Sequence, residues 1–344
     1  MDIKKLRILL NTKYESAVTS VAIENIGLRY ANAGHHFKIG DWGNYRDYDM
    51  IMFLAPDSEV IKAKKQNTQT LVGIMDPKVK TSRSLEEVKK ADFLAVSSIE
   101  QADYFMKFNE NIIVYHWFPC IKPQMKEHKN GEKILIGYHG NKIHLNTFYP
   151  FLQKALERLS IKYKIELMAI YNIKKLGKWG IGVPKNILVH HIQWEEKTYC
   201  DYLKDCDIGL VPSFIPINRK SGLCFSRVFE NTMKSEFGYN AGDYLLRFKY
   251  STNPNRIYEF SQLGIPVVAD MFPSACQFIV HGKSGFLVHS QEGWYNALEK
   301  LINSVELRNS MSKSLREFVD TNHSPSINFK KFAEFINLLA KRKG

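Results

Sequence analysis

A chain of 344 residues is long enough for about two domains. Its 44% hydrophobic and 24% charged residues are near the globular average, which excludes wholesale disorder and collagen-like repeats. The 48 Lys and Arg exceed the 35 Asp and Glu, for a net charge of +13, and such a surplus favours nucleic acid, an acidic membrane face or a phosphate-bearing small molecule as partner.

Apolar runs and cysteine usage predict a cytoplasmic protein. The apolar run near the start, residues 6–10, is too short for the core of a signal peptide. No stretch approaches the ~20 apolar residues that span a bilayer. The five cysteines form no Cys-x-x-Cys pair and are expected to be reduced thiols. They are Cys120, Cys200, Cys206, Cys224 and Cys276.

Short apolar runs alternate with helical patterns in the first part of the chain. The predicted strands are 6–11, 36–40, 49–54, 70–75, 92–98 and 111–117. The predicted helices are 16–33, 57–66, 84–91 and 99–108. Strands rich in β-branched residues and separated by helices predict a parallel sheet with covering helices.

The same pattern restarts after a polar, charged linker over 122–133. The predicted strands here are 133–140, 164–171, 186–192, 207–213, 266–270 and 285–290. The predicted helices are 145–159, 196–205, 254–263, 274–281, 291–303 and 305–321. The chain is therefore predicted to be α/β, with two Rossmann-like, doubly wound parallel sheets and a ligand-binding cleft between the domains.

The expected domains are 1–125 and 131–322, followed by an amphipathic helix over 323–344 that is expected to pack back on the first domain. Residues 214–250 interrupt the second domain without clean strand–helix alternation, and they are rich in Arg, Lys and aromatic residues. Such an insertion is either a surface loop or a lid that contacts the acceptor.

The stretch NPNRIYEFSQLGIPVVAD, residues 253–270, carries the clearest chemistry. Asn253 and Pro254 mark the start of a helix, whose free amides and dipole form an anion site. Arg256 in the first turn has a donor fork suited to phosphate oxygens. Glu259 shares its helix face and is suited to accept hydrogen bonds from a ribose diol. The alternative is an ordinary surface pair between Arg256 and Glu259.

This stretch resembles the nucleotide-sugar signature of GT-B glycosyltransferases, in particular the large retaining group with the pattern N-P-x-K-hydrophobic-Y-E-Y-x-x-x-G-x-P-V-V. The downstream turn HGKSGFLV, residues 281–288, also resembles that group. The matching residues of the signature are Asn253, Pro254, Arg256, Tyr258, Glu259, Gly264, Pro266, Val267 and Val268.

The resemblance assigns roles to individual residues. It implies that Glu259 binds the donor ribose and that Arg256 replaces a lysine near the diphosphate. Ser251 stands where many relatives have a glutamate that faces the donor sugar, so the sugar and the retaining or inverting outcome stay open. With Thr252 and Asn253, Ser251 belongs to the helix start that is expected to hold the donor.

The loop after the first strand of the second half, residues 138–145, is a second phosphate candidate. Gly140 lets the backbone approach a ligand closely, and Lys142 next to Asn141 offers a point charge to the diphosphate. The alternative is a surface turn with a solvated lysine. His139 and His144 lack a ligand cluster around them, so no metal site is expected there.

The resemblance implies two further donor contacts, at Trp194 and Ser213, which follow or end predicted strands. Trp194 follows a strand and is expected to stack on the nucleobase, unless it is simply a core or surface aromatic residue. Ser213, in the turn Leu210–Ser213, is expected to line the donor site.

Candidates for catalysis lie in the first half. Asp76 follows a strand and precedes Pro77, so it is either a base that deprotonates the acceptor or the start of a turn. His116 also follows a strand and is a base, a contact of the donor sugar, or a packed residue. The loop over 11–16 is expected to help bind acceptor or phosphate.

The resemblance implies transfer of a sugar from a UDP- or GDP-linked donor to a hydroxyl of a glycan or lipid-linked acceptor, in bacterial surface polysaccharide or glycolipid assembly. It implies no metal or other cofactor. Two alternatives stay open: a nucleotide-sugar 2-epimerase on the same fold, and a catalytically inactive sugar-binding partner of a glycan synthase. The residue at Ser251 supports the second.

The positive charge is unevenly distributed. Residues 1–130 carry a net +3 and residues 131–344 carry a net +10. Part of this excess is expected to recognise phosphate, and the rest an anionic inner-membrane surface on which a cytoplasmic protein lies peripherally. Nucleic acid is not an expected partner, because no recognised motif is present and the charges are scattered.

Overall fold

The computed structural model describes residues 5–13, 26–54, 57–119, 121–213 and 253–343. The predicted insertion over 214–250 and the first part of the predicted helix 16–33 lie outside the described residues.

The chain divides into two compact units. The first unit contains the described residues up to Pro119 together with 325–343. The second unit contains 121–213 and 253–324. Each unit is built on its own six-stranded sheet.

Twelve strands and thirteen helices account for the regular structure in the described part of the chain. The strands are β1 Arg7–Asn11, β2 His36–Ile39, β3 Met50–Leu54, β4 Leu71–Met75, β5 Phe93–Val96, β6 Ile112–Val114, β7 Ile134–His139, β8 Ile165–Tyr171, β9 Leu188–Gln193, β10 Ile208–Val211, β11 Val267–Asp270 and β12 Phe286–Val288. The helices are α1 (26–32), α2 Val60–Gln66, α3 Ser82–Lys90, α4 Ile99–Phe105, α5 Lys142–Leu145, α6 Phe151–Leu159, α7 Ile173–Leu176, α8 Tyr199–Leu203, α9 Asn255–Leu263, α10 Pro273–Phe278, α11 Gln291–Asn303, α12 Val305–His323 and α13 Pro325–Lys343. None of these helices is both long enough and apolar enough to cross a membrane.

The sheet of the first unit is entirely parallel, in the order β2-β1-β3-β4-β5-β6. The strands β3 and β4 are buried along their whole length, since helices cover both faces and the strands are continuous apolar runs. The order changes direction between β1 and β3, which makes this pair the switch point of the sheet.

The helix α13 belongs to the first unit although it ends the chain. Its Phe332 is fully buried and makes edge contacts with Phe93 at 6.2 Å, while the ring of Tyr115 lies 5.1 Å away. The Asn328 side chain bonds both to the N–H and to the carbonyl of His116. The apolar face of α13 thereby completes one face of this sheet.

The sheet of the second unit is parallel in the order β12-β11-β10-β7-β8-β9, with its switch point between β7 and β10. The helix α9 packs closely on β10, because a Cβ at Gly209 would lie 2.7 Å from the ring of Phe260. A side chain at Gly209 would push α9 away from the strand, so this glycine fixes the position of α9 over the switch point.

The prediction of one continuous helix over 145–159 is wrong. The chain forms the short helix α5, a 3₁₀ turn over Asn146–Phe148, and then the separate helix α6. Pro150 lies directly before α6 and has no N–H to continue the hydrogen bonds of a preceding helix.

Candidate active site

The switch point of the second unit gathers several of the predicted donor residues. In sheets of this type, ligands bind outside the carboxyl ends of the strands at the switch point. His139 ends β7 and Gly140 follows it, while Pro212 and Ser213 follow β10. Arg256, in the first turn of α9, touches both loops. The strand order and α9 therefore build one site from three distant segments.

Arg256 is held in an environment with too few acceptors. Its Nη2 donates to the Pro212 carbonyl at 3.4 Å, and its Cζ lies 5.6 Å from the centre of the Tyr138 ring. Its Nη1 is buried and has no hydrogen-bond partner among the described residues. Burial lowers the pKa of Arg256, although the nearby charges of Glu259 and Asp270 oppose this effect. A bound anion would satisfy the unpaired donor and the buried charge together.

Gly140 provides room for a ligand rather than a donor. Its φ of 131° lies in a region that favours glycine. A Cβ here would lie 3.1 Å from the Tyr138 hydroxyl and 3.6 Å from Cδ of Arg256. Its N–H already donates to the Ile170 carbonyl at 3.0 Å. The absence of a side chain keeps the approach to Arg256 open.

Glu259 lies in the second turn of α9 and is buried, with 6% of its surface exposed. Its Oε2 is 3.0 Å from Nε2 of His139, which is buried as well. The pair does not have hydrogen-bond geometry, and neither atom is otherwise paired within the described ranges. A buried carboxylate with an unused acceptor is suited to bind a hydroxyl group.

Two groups beside Glu259 respond to its charge. Burial raises the pKa of the Tyr199 hydroxyl strongly, and the negative charge of Glu259 raises it further. Burial likewise raises the pKa of the Cys200 thiol to about 11, with Glu259 adding to the effect. Both groups stay protonated at neutral pH, so they are neutral neighbours of the carboxylate.

Trp194 reaches this site through a chain of rings. Its ring centre lies 5.7 Å from that of Tyr199, which in turn lies 5.6 Å from that of His139. The backbone N–H of Trp194 donates to the Tyr171 carbonyl at 3.0 Å, and this bond fixes the residue just beyond the end of β9. The half-buried indole therefore packs beside Tyr199, which contacts the histidine that faces Glu259.

Ser213 and Asn253 add polar groups near the first turn of α9. The Ser213 N–H donates to Oδ2 of Asp270, at the end of β11, while its buried Oγ is unpaired in the described part of the chain. Both polar atoms of the Asn253 side chain are buried and similarly lack a partner there. Ser251 and Thr252, the other predicted residues of the helix start, lie outside the described residues.

The other two predicted residues of the β7 loop are engaged locally. Asn141 begins α5, and its Oδ1 accepts the Ile143 N–H at 3.0 Å. Lys142 donates through Nζ to the Leu176 carbonyl at 2.5 Å, at the end of α7. The structure thus directs the Lys142 ammonium to a backbone carbonyl and leaves Arg256 as the buried cation of the site.

Asp76 lies at the carboxyl end of β4 in the first unit, as its position in the sequence predicts. Its φ of 50° is unusual for a residue with a side chain and is one that aspartate tolerates. Oδ1 accepts from Nε2 of Gln101 at 2.9 Å, and Oδ2 lies 3.6 Å from Nζ of Lys78. The carboxylate is therefore held in a defined orientation by a neutral donor and a cation.

His116 is linked to the same edge of the sheet. It is buried, and its Nδ1 lies 3.1 Å from the Ser97 carbonyl. The Ser97 N–H and hydroxyl both donate to Oε1 of Gln101, at 2.7 and 3.0 Å. Since Gln101 also binds Asp76, the two predicted catalytic residues belong to one connected network.

Sequence reasoning did not identify four residues that complete these arrangements. Ser97 and Gln101 connect Asp76 to His116, and their only signal is their position at the end of β5 and in the first turn of α4. The sequence draws attention to His139 only as a candidate metal ligand, and no pattern in it points to Tyr199. Their role beside Glu259 depends on the distant packing of α8 and β7 against α9.

No protein-family model matches the chain, and no curated protein matches it in sequence. Solved structures do resemble it. A glycosyltransferase from Rickettsia africae aligns over 98% of this chain and 100% of its own, with a TM-score of 0.65 and 12% identity. HepE from Anabaena, solved in complex with UDP-glucose, aligns over 96% and 99%, with a TM-score of 0.62 and 11% identity. Sucrose-phosphate synthase from Thermosynechococcus elongatus aligns over 97% and 99%, with a TM-score of 0.60 and 12% identity.

At these identities the likeness is one of fold. The predicted fold class, α/β with two Rossmann-like, doubly wound parallel sheets of the GT-B type, is confirmed by these structures and by the two observed sheets.

Proposed function

We propose that the chain is a glycosyltransferase that moves a sugar from a nucleotide-diphosphate sugar to an acceptor hydroxyl. The observation that carries the proposal is that α9 places Arg256 and Glu259 one turn apart at the switch point of the second unit. Among the described residues, Nη1 of Arg256 and Oε2 of Glu259 are buried and have no hydrogen-bond partner, although Oε2 lies 3.0 Å from Nε2 of His139. Structures of the same fold include a glycosyltransferase and a protein solved with UDP-glucose, which supports the proposal.

The donor is proposed to lie along the start of α9. Arg256 and the first amides of α9 bind the diphosphate, with Gly140 leaving the space for it. Glu259 accepts hydrogen bonds from the ribose hydroxyls, and Trp194 stacks on a uracil or guanine base. Additional contacts are proposed for Asn253, Thr252, Ser251, Asn141, Lys142 and Ser213.

In the proposed reaction, the acceptor oxygen forms a bond to the anomeric carbon of the donor sugar. The bond from that carbon to the diphosphate oxygen breaks, and the nucleoside diphosphate leaves with the electron pair. Asp76 takes the proton of the acceptor hydroxyl. His116 is proposed to contact the donor sugar or to serve as the base itself. Arg256 stabilises the charge that develops on the leaving diphosphate.

The chain's own positive groups are proposed to replace a metal in this step. Arg256 supplies a fixed charge and the start of α9 supplies amide donors, so no cation is needed to neutralise the leaving group. Turnover is therefore expected to persist in EDTA, and a requirement for added Mg²⁺ or Mn²⁺ would contradict this part of the proposal.

We also propose a role in bacterial surface polysaccharide or glycolipid assembly, with a glycan or lipid-linked acceptor at the inner face of the membrane. The support is the basic outer side of α13, which exposes Lys330, Lys331, Lys341 and Arg342. Such a surface is attracted to anionic lipid within a Debye length. We expect the protein to sediment with vesicles containing 30% phosphatidylserine at low salt. Failure of the protein to sediment with them would contradict the membrane proposal.

The test of the main proposal is calorimetric binding of UDP, GDP and their glucose conjugates to the wild-type chain and to Glu259→Gln. The variant keeps the shape of the side chain and removes its charge, so we expect affinity for the preferred nucleotide to fall about tenfold or more. Glu196→Gln, an exposed position of the same unit, is the control and is expected to bind as wild type does.

Equal binding to wild type and Glu259→Gln, or no nucleotide binding at all, would contradict the assignment. Incubation with the bound nucleotide-sugar and no acceptor, followed by NMR, separates a transferase from a 2-epimerase, because only an epimerase forms a new nucleotide-sugar under these conditions.

A further inference from the structure

The segment that leads into the second unit lies against the carboxyl-terminal end of α9. We call residues 124–128 of this segment the strap. The Gln124 N–H donates to the Gln262 carbonyl at 2.9 Å, and Nε2 of His128 donates to the Gly264 carbonyl at 3.0 Å. The last carbonyls of a helix have no partner within it. The strap therefore supplies donors to the end of α9 and to the glycine that follows it, although it is distant from both in the sequence.

The contact between the strap and the helix end is close, and Gly264 makes it possible. This glycine ends α9 with a φ of 70°, in the left-handed region that favours glycine. A Cβ at this position would collide with the backbone nitrogen of Lys126 and would lie 2.9 Å from Cα of Met125. A side chain at residue 264 would therefore move the strap or the helix.

The other side of the strap is also held. Nζ of Lys126 donates to the carbonyls of Asp205 and Cys206 at 2.7 and 2.8 Å, in the turn before β10. The backbone of His128 is bonded on both sides by the Asn309 side chain of α12, at 2.9 and 3.2 Å. The imidazole of His128 is completely buried. The strap is thus a fixed support for the end of α9, not a loose connection.

The position of α9 decides where its two site residues lie. Arg256 is about 12 Å along the helix axis from Gly264, at 1.5 Å per residue. Nη1 of Arg256 and Oε2 of Glu259 have no hydrogen-bond partner among the described residues, so no such bond holds these two atoms in place. A shift of the helix end is therefore carried to both of them.

We propose that the strap positions Arg256 and Glu259 for the nucleotide, and that the contact of the strap with α9 and the binding of the nucleotide strengthen each other. The inference rests on the proposed glycosyl transfer and concerns the control of its donor site. The effect is reciprocal by thermodynamic linkage: if displacement of the strap weakens nucleotide binding, a bound nucleotide opposes displacement of the strap.

The first test is calorimetry of the full chain with UDP and with GDP, on wild type, Gly264→Ala and Gly282→Ala. Gly282 lies in the same unit and has a φ of 77°, but no atom lies within 4 Å of the position of its Cβ. Both variants therefore strain the backbone, and only Gly264→Ala displaces the strap. We expect the affinity for the better nucleotide to fall about tenfold or more in Gly264→Ala and to stay at the wild-type value in Gly282→Ala.

A second pair of variants leaves Gly264 unchanged and tests the strap even where Gly264→Ala does not fold. His128→Leu removes the donor to the Gly264 carbonyl, whereas His128→Gln keeps an N–H donor at a similar distance from the backbone. We expect His128→Leu to weaken nucleotide binding and His128→Gln to restore most of it. Urea unfolding separates this effect from a purely structural one, which would lower stability and leave the affinity of the folded protein unchanged.

Hydrogen exchange of the Gln124 amide measures the reciprocal effect, because this N–H bonds directly to α9. We expect saturating nucleotide to slow its exchange about tenfold or more. The reference is the Gly282 amide, which donates to the Gly285 carbonyl at 2.8 Å in a separate turn and is expected to exchange at the same rate with and without nucleotide.

Three outcomes would overturn the inference: equal affinity in Gly264→Ala and Gly282→Ala, equal affinity in His128→Leu and His128→Gln, or exchange at Gln124 that nucleotide does not change. Each of these, with normal binding to wild type, contradicts only the role of the strap. Absence of UDP and GDP binding in wild type contradicts the glycosyltransferase, and the role of the strap with it.

Discussion

Arg256 and Glu259 are one turn apart on α9. Substituting each of them in turn should show which part of the nucleotide it recognises. Arg256 is proposed to bind only phosphate, so Arg256→Gln should weaken UDP binding about tenfold to hundredfold and leave the weak binding of uridine unchanged. Glu259→Gln should weaken the binding of both UDP and uridine, because both ligands carry the ribose diol. Calorimetry with UDP and competition NMR with uridine measure the two effects.

The control for this pair is Arg46→Gln, an exposed arginine outside the site. A loss of uridine binding in Arg256→Gln would show that the guanidinium supports the whole site rather than the diphosphate, and it would contradict the assigned division of roles.

Asp76 is held by Gln101 and Lys78 at the end of β4, which suits a base of fixed orientation. If it accepts the acceptor proton, Asp76→Asn should lower kcat about a hundredfold or more with little change in donor KM, since general bases contribute about 10²–10⁴-fold. Asp47→Asn is the matched surface control. Wild-type turnover of Asp76→Asn would remove Asp76 as the base and leave His116 as the candidate.

At the scale of elements, the segment that enters the second unit is fastened to its sheet by Asp207. Lys126 donates to the carbonyls of Asp205 and Cys206 and lies 3.1 Å from Oδ1 of Asp207. Oδ2 of Asp207 accepts the Leu135 N–H at 3.0 Å. Burial alone would raise the pKa of Asp207, but His128, the Leu135 N–H and Lys126 outweigh it and lower the pKa to about 2.

This shift predicts an acid-sensitive contribution to stability. Because the folded pKa lies below the unfolded value of 3.8, the ionised group stabilises the fold fully above about pH 5 and loses this effect as the pH falls through 4 toward 2. The difference corresponds to about 2 kcal/mol. Urea unfolding of wild type and Asp207→Asn should show a gap at pH 6 that narrows at pH 3, and a gap that is constant with pH would contradict this.

The local elements follow from the sequence where an apolar run is continuous, as in β3 and β4, or where an apolar helical pattern begins at a capping residue, as at Ser290 before α11. The predicted helix 145–159 failed because Pro150 breaks hydrogen bonding at a point where the apolar periodicity continues. The positions of Asp76 and His116 at strand ends could be predicted, since the strands are continuous apolar runs. Their connection through Ser97 and Gln101 could not, because it depends on the order of β4, β5 and β6 and on how α4 packs.

On the scale of the whole molecule, the first unit is built from both ends of the chain, since α13 packs on its sheet through Phe332. Phe332→Ala should remove about 3–5 kcal/mol of stability by leaving a cavity against Phe93 and Tyr115. Leu338→Ala, on the exposed side of α13 at 57% exposure, should cost far less. Hydrogen exchange is the decisive measurement, because the loss should lower amide protection in β5 and β6 while β10 and β11 of the second unit keep theirs. Equal loss of protection in both sheets would show that the two units unfold together and that α13 is not a local support of the first.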